Sequence, residues 1–173
     1  MKRLQKIDVA VFNFFNKKIK SKLLDKVFPI VTHLGSALAT VGFSFGVLLI
    51  KGDTLRNLGL LCLISLIISF FVIRHLKSHF GRIRPYKSLP GVNYLKNNLK
   101  DYSFPSGHTA AIAAVSFSIL FYFPGLWYVA VLLIIAVGIS RIYLGVHYPG
   151  DIIFGVIIGF LCTCIGKLII HIK

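Results

Sequence analysis

The chain is short of acid. Of its 173 residues only five are acidic, against 20 Lys and Arg, for a formal net charge of +15. Magnesium and calcium are held mainly by carboxylates, so this scarcity argues against a hard-metal site. Cysteine is scarce too. Cys62, Cys162 and Cys164 all lie in apolar runs, and Cys-x-Cys is neither the usual zinc nor the usual redox spacing. They read as small buried hydrophobes. The first apolar residues are too interrupted by charge to form the core of a signal peptide, so a cleaved leader is not expected. No internal repeat or low-complexity segment is visible.

What the chain has in abundance is apolar surface. Hydrophobic residues make up 56%, and the mean hydropathy is +0.81, values that suit a membrane protein better than a soluble core. The length points to one domain spanning 1–173. In a soluble protein this much positive charge would suggest nucleic acid. Here the bases flank apolar runs, so the expected partners are anionic membrane lipids and a phosphate-bearing substrate, with no nucleic acid. Nothing in the pattern sets an oligomeric state.

The runs set the expected fold class: all-α, a multi-pass transmembrane helical bundle of about five spans preceded by an N-terminal amphipathic interfacial helix. In residues 1–26 eight Lys and Arg rim a face of Leu4, Ile7, Val11, Phe12, Phe14, Phe15 and Ile19, which predicts a helix lying on the membrane surface. The transmembrane core is then 27–173. Residues 27–50 carry no Lys, Arg, Asp or Glu and are long enough to cross about 30 Å of hydrocarbon at about 1.5 Å per residue. Gly35, Gly42 and Gly46 are expected to let neighbouring helices approach closely. Further spans are predicted at about 55–73, 106–123, 126–139 (short unless 140–144 extend it) and 149–170. Trp127, Tyr122, Tyr128, Tyr143 and Tyr148 fall near the predicted edges, as an aromatic belt would. The connection 85–104 is long enough to be functional.

Three polar pieces sit at the ends of these runs. Lys77 is followed after six residues by Arg84-Pro85. Pro105-Ser106-Gly107-His108 opens the next run. Ser140-Arg141 is followed after five residues by His147 and after three more by Asp151. The predicted topology puts all three on one side of the membrane. Lys77, Arg84 and Arg141 would supply positive charge for a phosphate, arginine as a two-pronged donor and lysine as a point charge. Ser106 and Gly107 would open a helix whose free N–H groups attract an anion. Pro149 suits the first position of a helix, which would put Asp151 in its first turn, one turn from His147. Asp151 could then hold one ring nitrogen and aim the other at phosphorus, while His108 could protonate a leaving oxygen. Taken singly, each piece has an ordinary explanation: flank charges for Lys77 and Arg84, a helix start for Pro-Ser-Gly, a structural pair for His147 and Asp151. All three explanations would have to hold together.

In this order and spacing the pieces resemble the type 2 phosphatidic acid phosphatase family, the membrane lipid phosphatases related to acid phosphatases and vanadium haloperoxidases. The resemblance spans residues 77 to 151. It implies hydrolysis of a lipid phosphate or diphosphate without a metal: His147 the nucleophile that becomes phosphohistidine, Asp151 its orienting partner, His108 the acid and then the base, and Lys77, Arg84, Ser106, Gly107 and Arg141 the phosphate cradle. Undecaprenyl diphosphate, phosphatidylglycerophosphate and phosphatidic acid are the candidate substrates, and Lys87, Lys96 and Lys100 could serve a second phosphate. The alternatives are a lipid phosphotransferase using the same phosphohistidine and a non-catalytic membrane scaffold. A haloperoxidase is not expected, since those relatives resemble soluble proteins. Sixteen of the twenty Lys and Arg fall on the side of the site, which by the positive-inside rule would face it to the cytoplasm. Bacterial relatives face it outward, so the resemblance implies a cell-membrane protein with an extracytoplasmic site.

Overall fold

A computed structural model describes residues 2–94 and 99–171, without the side chains of residues 2–4 and 171. The described residues form helices and connecting loops, with no strand among them. In chain order the helices are α1 (Lys2–Asn13), α2 (Lys22–Val31), α3 (Ala37–Leu49), α4 (Asp53–Phe80), the short α5 (Pro85–Ser88), α6 (Gly107–Tyr122), α7 (Trp127–Tyr143) and α8 (Pro149–His171).

Small polar residues place the boundaries. The side-chain oxygens of Ser21, Ser36 and Ser106 accept from the backbone N–H three residues on, capping α2, α3 and α6. Gly81, at φ +56°, ends α4 in the left-handed conformation that L side chains avoid. Within the apolar helices, the buried Thr40, Ser44, Ser65, Ser118 and Thr163 each donate to the carbonyl four residues back, which pairs these hydroxyls inside the bundle.

Five apolar helical segments build the bundle. Those of α4, α7 and α8 are long and apolar enough to cross a membrane alone. The segment predicted as a single span at 27–50 is not one straight helix: α2 and α3 meet at a 51° bend, separated by the 3₁₀ turn Thr32–Gly35 and the cap Ser36. The α6 segment has 16 residues, shorter than a full span. The chain runs straight on through the predicted end at 139, and α7 reaches Tyr143. The N-terminal segment also ends earlier than expected. A π turn, Phe14–Lys18, closes it, and α2 begins at Lys22, so the break falls at 19–21 rather than at 26.

The N-terminal helix has two working faces. Ile7, Val11 and Phe14 are exposed on one side, as an interfacial helix requires. Asp8, Phe12 and Asn16, four residues apart, turn to the protein, and Phe12 and Asn16 are fully buried. Asn16 clips the long loop: its side chain accepts from Asn93 N (2.9 Å) and donates to Asn93 O (2.9 Å) and Tyr143 O (2.8 Å). Tyr143 and Tyr148 do not join an aromatic belt. Both are buried, Tyr143 donating to Asp25 (2.7 Å) and Tyr148 paired with Ser88 (2.7 Å), whereas Trp127 and Tyr128 are exposed as expected.

Helix α6 sits at the centre, against α3, α4, α7 and α8. Its contact with α8 rests on Gly155 and Gly159, a small-xxx-small pair. A Cβ at Gly159 would lie 2.6 Å from the Ala110 carbonyl oxygen and 2.7 Å from Ala113 Cβ. These atoms cannot swing aside. Gly159→Ala should therefore destabilise the fold by about 1–3 kcal/mol through overpacking, read as a lower Tm of the detergent-solubilised protein. Gly35 is close-packed in the same way, its Cβ position 2.6 Å from the His108 carbonyl oxygen, but Gly42 and Gly46 face open space, contrary to the expectation for them.

Candidate active site

The C-terminal ends of α4 and α7, the start of α6, the long loop and the loop before α8 meet around a cavity of about 560 Å³, lined by Lys77, Arg84, Asp101, His108, Arg141 and His147 among others. The three polar pieces thus converge, although Lys77 and His147 lie 70 residues apart in the sequence. Local structure delivers each one. Gly145, at φ +77°, turns the chain after α7 against the Asn93 carbonyl and lets residues 146–148 run back to the start of α8. His147 therefore lies in the loop before α8 and Asp151 in its first turn. They meet across the helix start, with Nδ1 3.3 Å from Asp151 Oδ2, rather than along one helical face.

The histidine is fully buried. Arg84 Nη1 lies 3.3 Å from Nε2. A guanidinium can only donate, so Nε2 presents its lone pair and the ring proton sits on Nδ1, toward the carboxylate. Burial first, then the charges of Arg141, Arg84 and Lys77, hold the imidazole well below its ordinary value of 6.5, so it is neutral.

Four cations line the cavity: Arg74, which is exposed, and Lys77, Arg84 and Arg141. Arg84 is 2% exposed and spends every arm: Nη1 on Val146 O (2.9 Å), Nε on Asp101 O (2.9 Å) and Nη2 on Asp101 Oδ1 (2.7 Å). Lys77 pairs with the other Asp101 oxygen. Burial raises the Asp101 carboxyl, but Lys77 and Arg84 outweigh it and hold it at about 2. A carboxylate thus already bridges two of these cations. Arg141 is equally buried, donates to Thr32 Oγ1 (2.9 Å), and leaves its Nε without a hydrogen-bond partner. A buried guanidinium N–H left over beside a cavity is a donor waiting for an anion.

The predicted cradle divides at the helix start. Gly107 lines the cavity. The Ser106 hydroxyl is buried and turned to Thr109 (Oγ1 2.9 Å, N 3.4 Å), which makes it the helix cap. His108 lines the cavity at the mouth of α6. Among the residues expected to serve a second phosphate, Lys87 is bound to Leu99 O (3.2 Å), Lys100 is exposed, and Lys96 lies outside the described residues. Arg74, not singled out by spacing, lines the cavity instead. Among the described residues no three His, Cys, Asp or Glu side chains gather as a metal site would need.

Sequence reasoning missed Asp101, Asp8 and Thr32, and it left Arg82 aside. One signal was available. With five carboxylates in the chain, each is a candidate partner for a buried cation, and three of them, Asp8, Asp101 and Asp151, are here.

Comparison with known proteins adds an independent line. Residues 58–172 match the model of the PAP2 superfamily. The undecaprenyl-diphosphatase of Sulfolobus acidocaldarius is 30% identical over 105 residues, 60% of this chain and 51% of that protein. Phosphatidylglycerophosphatase B of Bacillus subtilis is 31% identical over 166 residues, 86% of this chain and 76% of that protein. The crystal structure of LpxE from Aquifex aeolicus superposes with a TM-score of 0.82 at 26% identity, covering 93% of this chain and 94% of that one. Some curated relatives are longer, and the chain spans about half their length.

Proposed function

The chain belongs to the PAP2 superfamily, and from that premise we propose that it is a membrane lipid phosphatase that releases phosphate from a lipid phosphate or diphosphate through a phosphohistidine on His147. One observation carries this reading. A neutral, carboxylate-backed histidine faces a cavity in which the cations Lys77, Arg84 and Arg141 are already bridged in part by the Asp101 carboxylate. A substrate phosphate takes the place of that carboxylate and meets the spare Arg141 Nε.

The steps follow from the groups. His147 Nε2 attacks phosphorus, the N–P bond forms, and the P–O bond to the lipid breaks. His108 gives its proton to the leaving oxygen. Asp151 holds the imidazolium that develops, and the cations stabilise charge spread over the equatorial oxygens. Water then attacks the phosphohistidine, His108 takes its proton, and the N–P bond breaks to free phosphate and His147.

A lipid substrate is supported by a second cavity of about 510 Å³, lined almost wholly by apolar side chains such as Val41, Phe45, Leu66 and Phe71, between α3, α4 and α6. It shares Phe70, Ile73, Gly107 and His108 with the polar cavity, so a headgroup and the first part of its tail have one continuous path. Phe70 and Phe71 are exposed on the lipid-facing surface, which favours entry sideways from the leaflet. The substrates named for relatives, undecaprenyl diphosphate and phosphatidylglycerophosphate, are the first to try, with phosphatidic acid beside them. The extracytoplasmic orientation belongs to this proposal.

Purified protein in detergent, with excess EDTA, is expected to release phosphate from at least one of these three lipids at a rate unchanged by the chelator. Release that stops with EDTA and returns with magnesium would overturn the metal-independent mechanism. No release from any of the three would move the weight to a non-catalytic scaffold.

A further inference from the structure

Asp151 is the one carboxylate the proposed mechanism needs, and it is completely buried. One oxygen, Oδ2, serves His147 Nδ1 and accepts from Tyr148 N at 2.9 Å. The other, Oδ1, accepts from Arg82 Nη1 at 2.7 Å. Arg82 reaches the site from just past the Gly81 turn that ends α4, and its guanidinium lies 4.0 Å over the Tyr148 ring. Its second arm, Nη2, donates to Asp8 Oδ2 at 2.6 Å. Asp8 stands on α1, at the far end of the sequence, and its other oxygen accepts from Gly150 N at 2.7 Å, in the first turn of α8. The guanidinium is thus clamped between carboxylates of the first and last helices, with an aromatic face beneath it.

A buried carboxylate must be paired to stay ionised, and it must be fixed in rotation to keep one oxygen on the histidine. Tyr148 N fixes Oδ2, and Arg82 both neutralises Asp151 and fixes Oδ1. Asp8 in turn fixes Arg82, whose side chain is otherwise long and mobile. Arg82 and Asp8 are absent from the lining of the cavity, so neither is placed to touch a phosphate.

We infer that Arg82 and Asp8 are positioning residues for the reaction: Arg82 sets Asp151, and through it His147, while Asp8 brings the interfacial helix α1 into the active site as a structural partner. The inference rests on the lipid phosphatase reading. Its distinctive consequence is that the charge of Asp8 acts through Arg82, since Asp8→Asn can keep an oxygen for Gly150 N and loses only the carboxylate that holds the guanidinium. The outer face of α1, Ile7, Val11 and Phe14, faces away from the protein, so the seat of this helix on the membrane and the aim of His147 are mechanically joined.

The test uses the full chain in detergent with the lipid it cleaves fastest, comparing wild type, Arg82→Gln, Arg82→Lys, Asp8→Asn and the Asp8→Asn/Arg82→Gln double variant. Arg82→Gln is expected to lower kcat by about 10- to 100-fold with KM within about twofold, the cost of a small misalignment of the reacting groups. Arg82→Lys keeps the charge but cannot span two carboxylates, and is expected to fall between wild type and Arg82→Gln. Asp8→Asn should lower kcat by about three- to tenfold alone, and by nothing further in the Arg82→Gln background. An additive double variant, or Arg82→Gln raising KM at unchanged kcat, overturns the inference, the second because it would make Arg82 a substrate contact. If Arg82→Gln does not fold, Arg82→Lys and Asp8→Asn decide: full kcat in both overturns the inference, and a reduced kcat at unchanged KM in both sustains it. A wild type that releases no phosphate overturns the phosphatase reading and this inference with it. An active wild type with an unaffected Asp8→Asn and Arg82→Gln overturns this inference alone.

Discussion

His147→Gln is expected to reduce phosphate release to less than about one thousandth of wild type, with the substrate still bound, because in the proposed mechanism the residue lost forms the covalent bond. Glutamine has neither the basic nitrogen nor the reach of Nε2. The buried position makes the result clean in one respect: no other imidazole among the residues lining the cavity except His108 is available to take over. Wild type quenched during turnover should carry a phosphoryl group stable in alkali and lost in acid, as an N–P bond is, and His147→Gln should carry none. The neutral state of the ring matters here. A histidine surrounded by Arg141, Arg84 and Lys77 is held unprotonated well below 6.5, so its lone pair is present at neutral pH without help from a base. Release by His147→Gln at more than a tenth of the wild-type rate would show that the nucleophile lies elsewhere.

Arg84→Lys is expected to lower kcat/KM by about 100-fold or more, a loss typical of removing a preorganised donor from a transition-state site. The charge survives this change, but the geometry does not. Arg84 reaches Val146 O, the Asp101 backbone, the Asp101 carboxylate and the edge of His147 at once, from four directions fixed by one plane. An ammonium on a flexible stem carries its three donors on one atom and cannot span these partners. It would also leave the Val146 carbonyl underfilled in a buried site. The matching measurement is kcat/KM against the same lipid, with Tm recorded to separate misfolding from lost catalysis. A variant within about threefold of wild type would mean that bulk positive charge suffices and that the cradle is less directional than its hydrogen bonds imply.

The membrane class was legible from hydropathy, because lipid demands long uncharged runs and this demand is local in sequence. The bend within 27–50 was not. Residues 32–36 are uncharged, so a window over 27–50 averages through them, while the 3₁₀ turn there is held by the Ser36 cap and by the fit of Gly35 against the His108 carbonyl. The end of α7 was blurred for the opposite reason. Ser140 and Arg141 look like an exit from the membrane, yet Arg141 is buried, because its guanidinium is turned into the cavity and onto Thr32. Tyr143 and Tyr148 misled in the same way. Their position near predicted edges suggested a belt, and their hydroxyls instead found Asp25 and Ser88 inside the protein.

The candidate site divides along the same line. Lys77, Arg84, His108, Arg141, His147 and Asp151 could be singled out from the sequence because their spacing at three membrane edges is a one-dimensional pattern. The sequence alone also determined the helical class, the apolar segments and that the polar pieces meet at one end of the bundle. Only the tertiary structure decided which cation goes with which carboxylate. Arg82 and Arg84 are two residues apart and look interchangeable, yet one clamps Asp151 and Asp8 while the other faces His147 and Asp101. Asp8 lies 142 residues from its Gly150 partner, and Thr32 lies 109 from Arg141. Spacing carries no information at that range. Those pairings arise when helices pack and leave each buried charge only the partners within reach of a few ångströms, where an unpaired charge is too costly to remain.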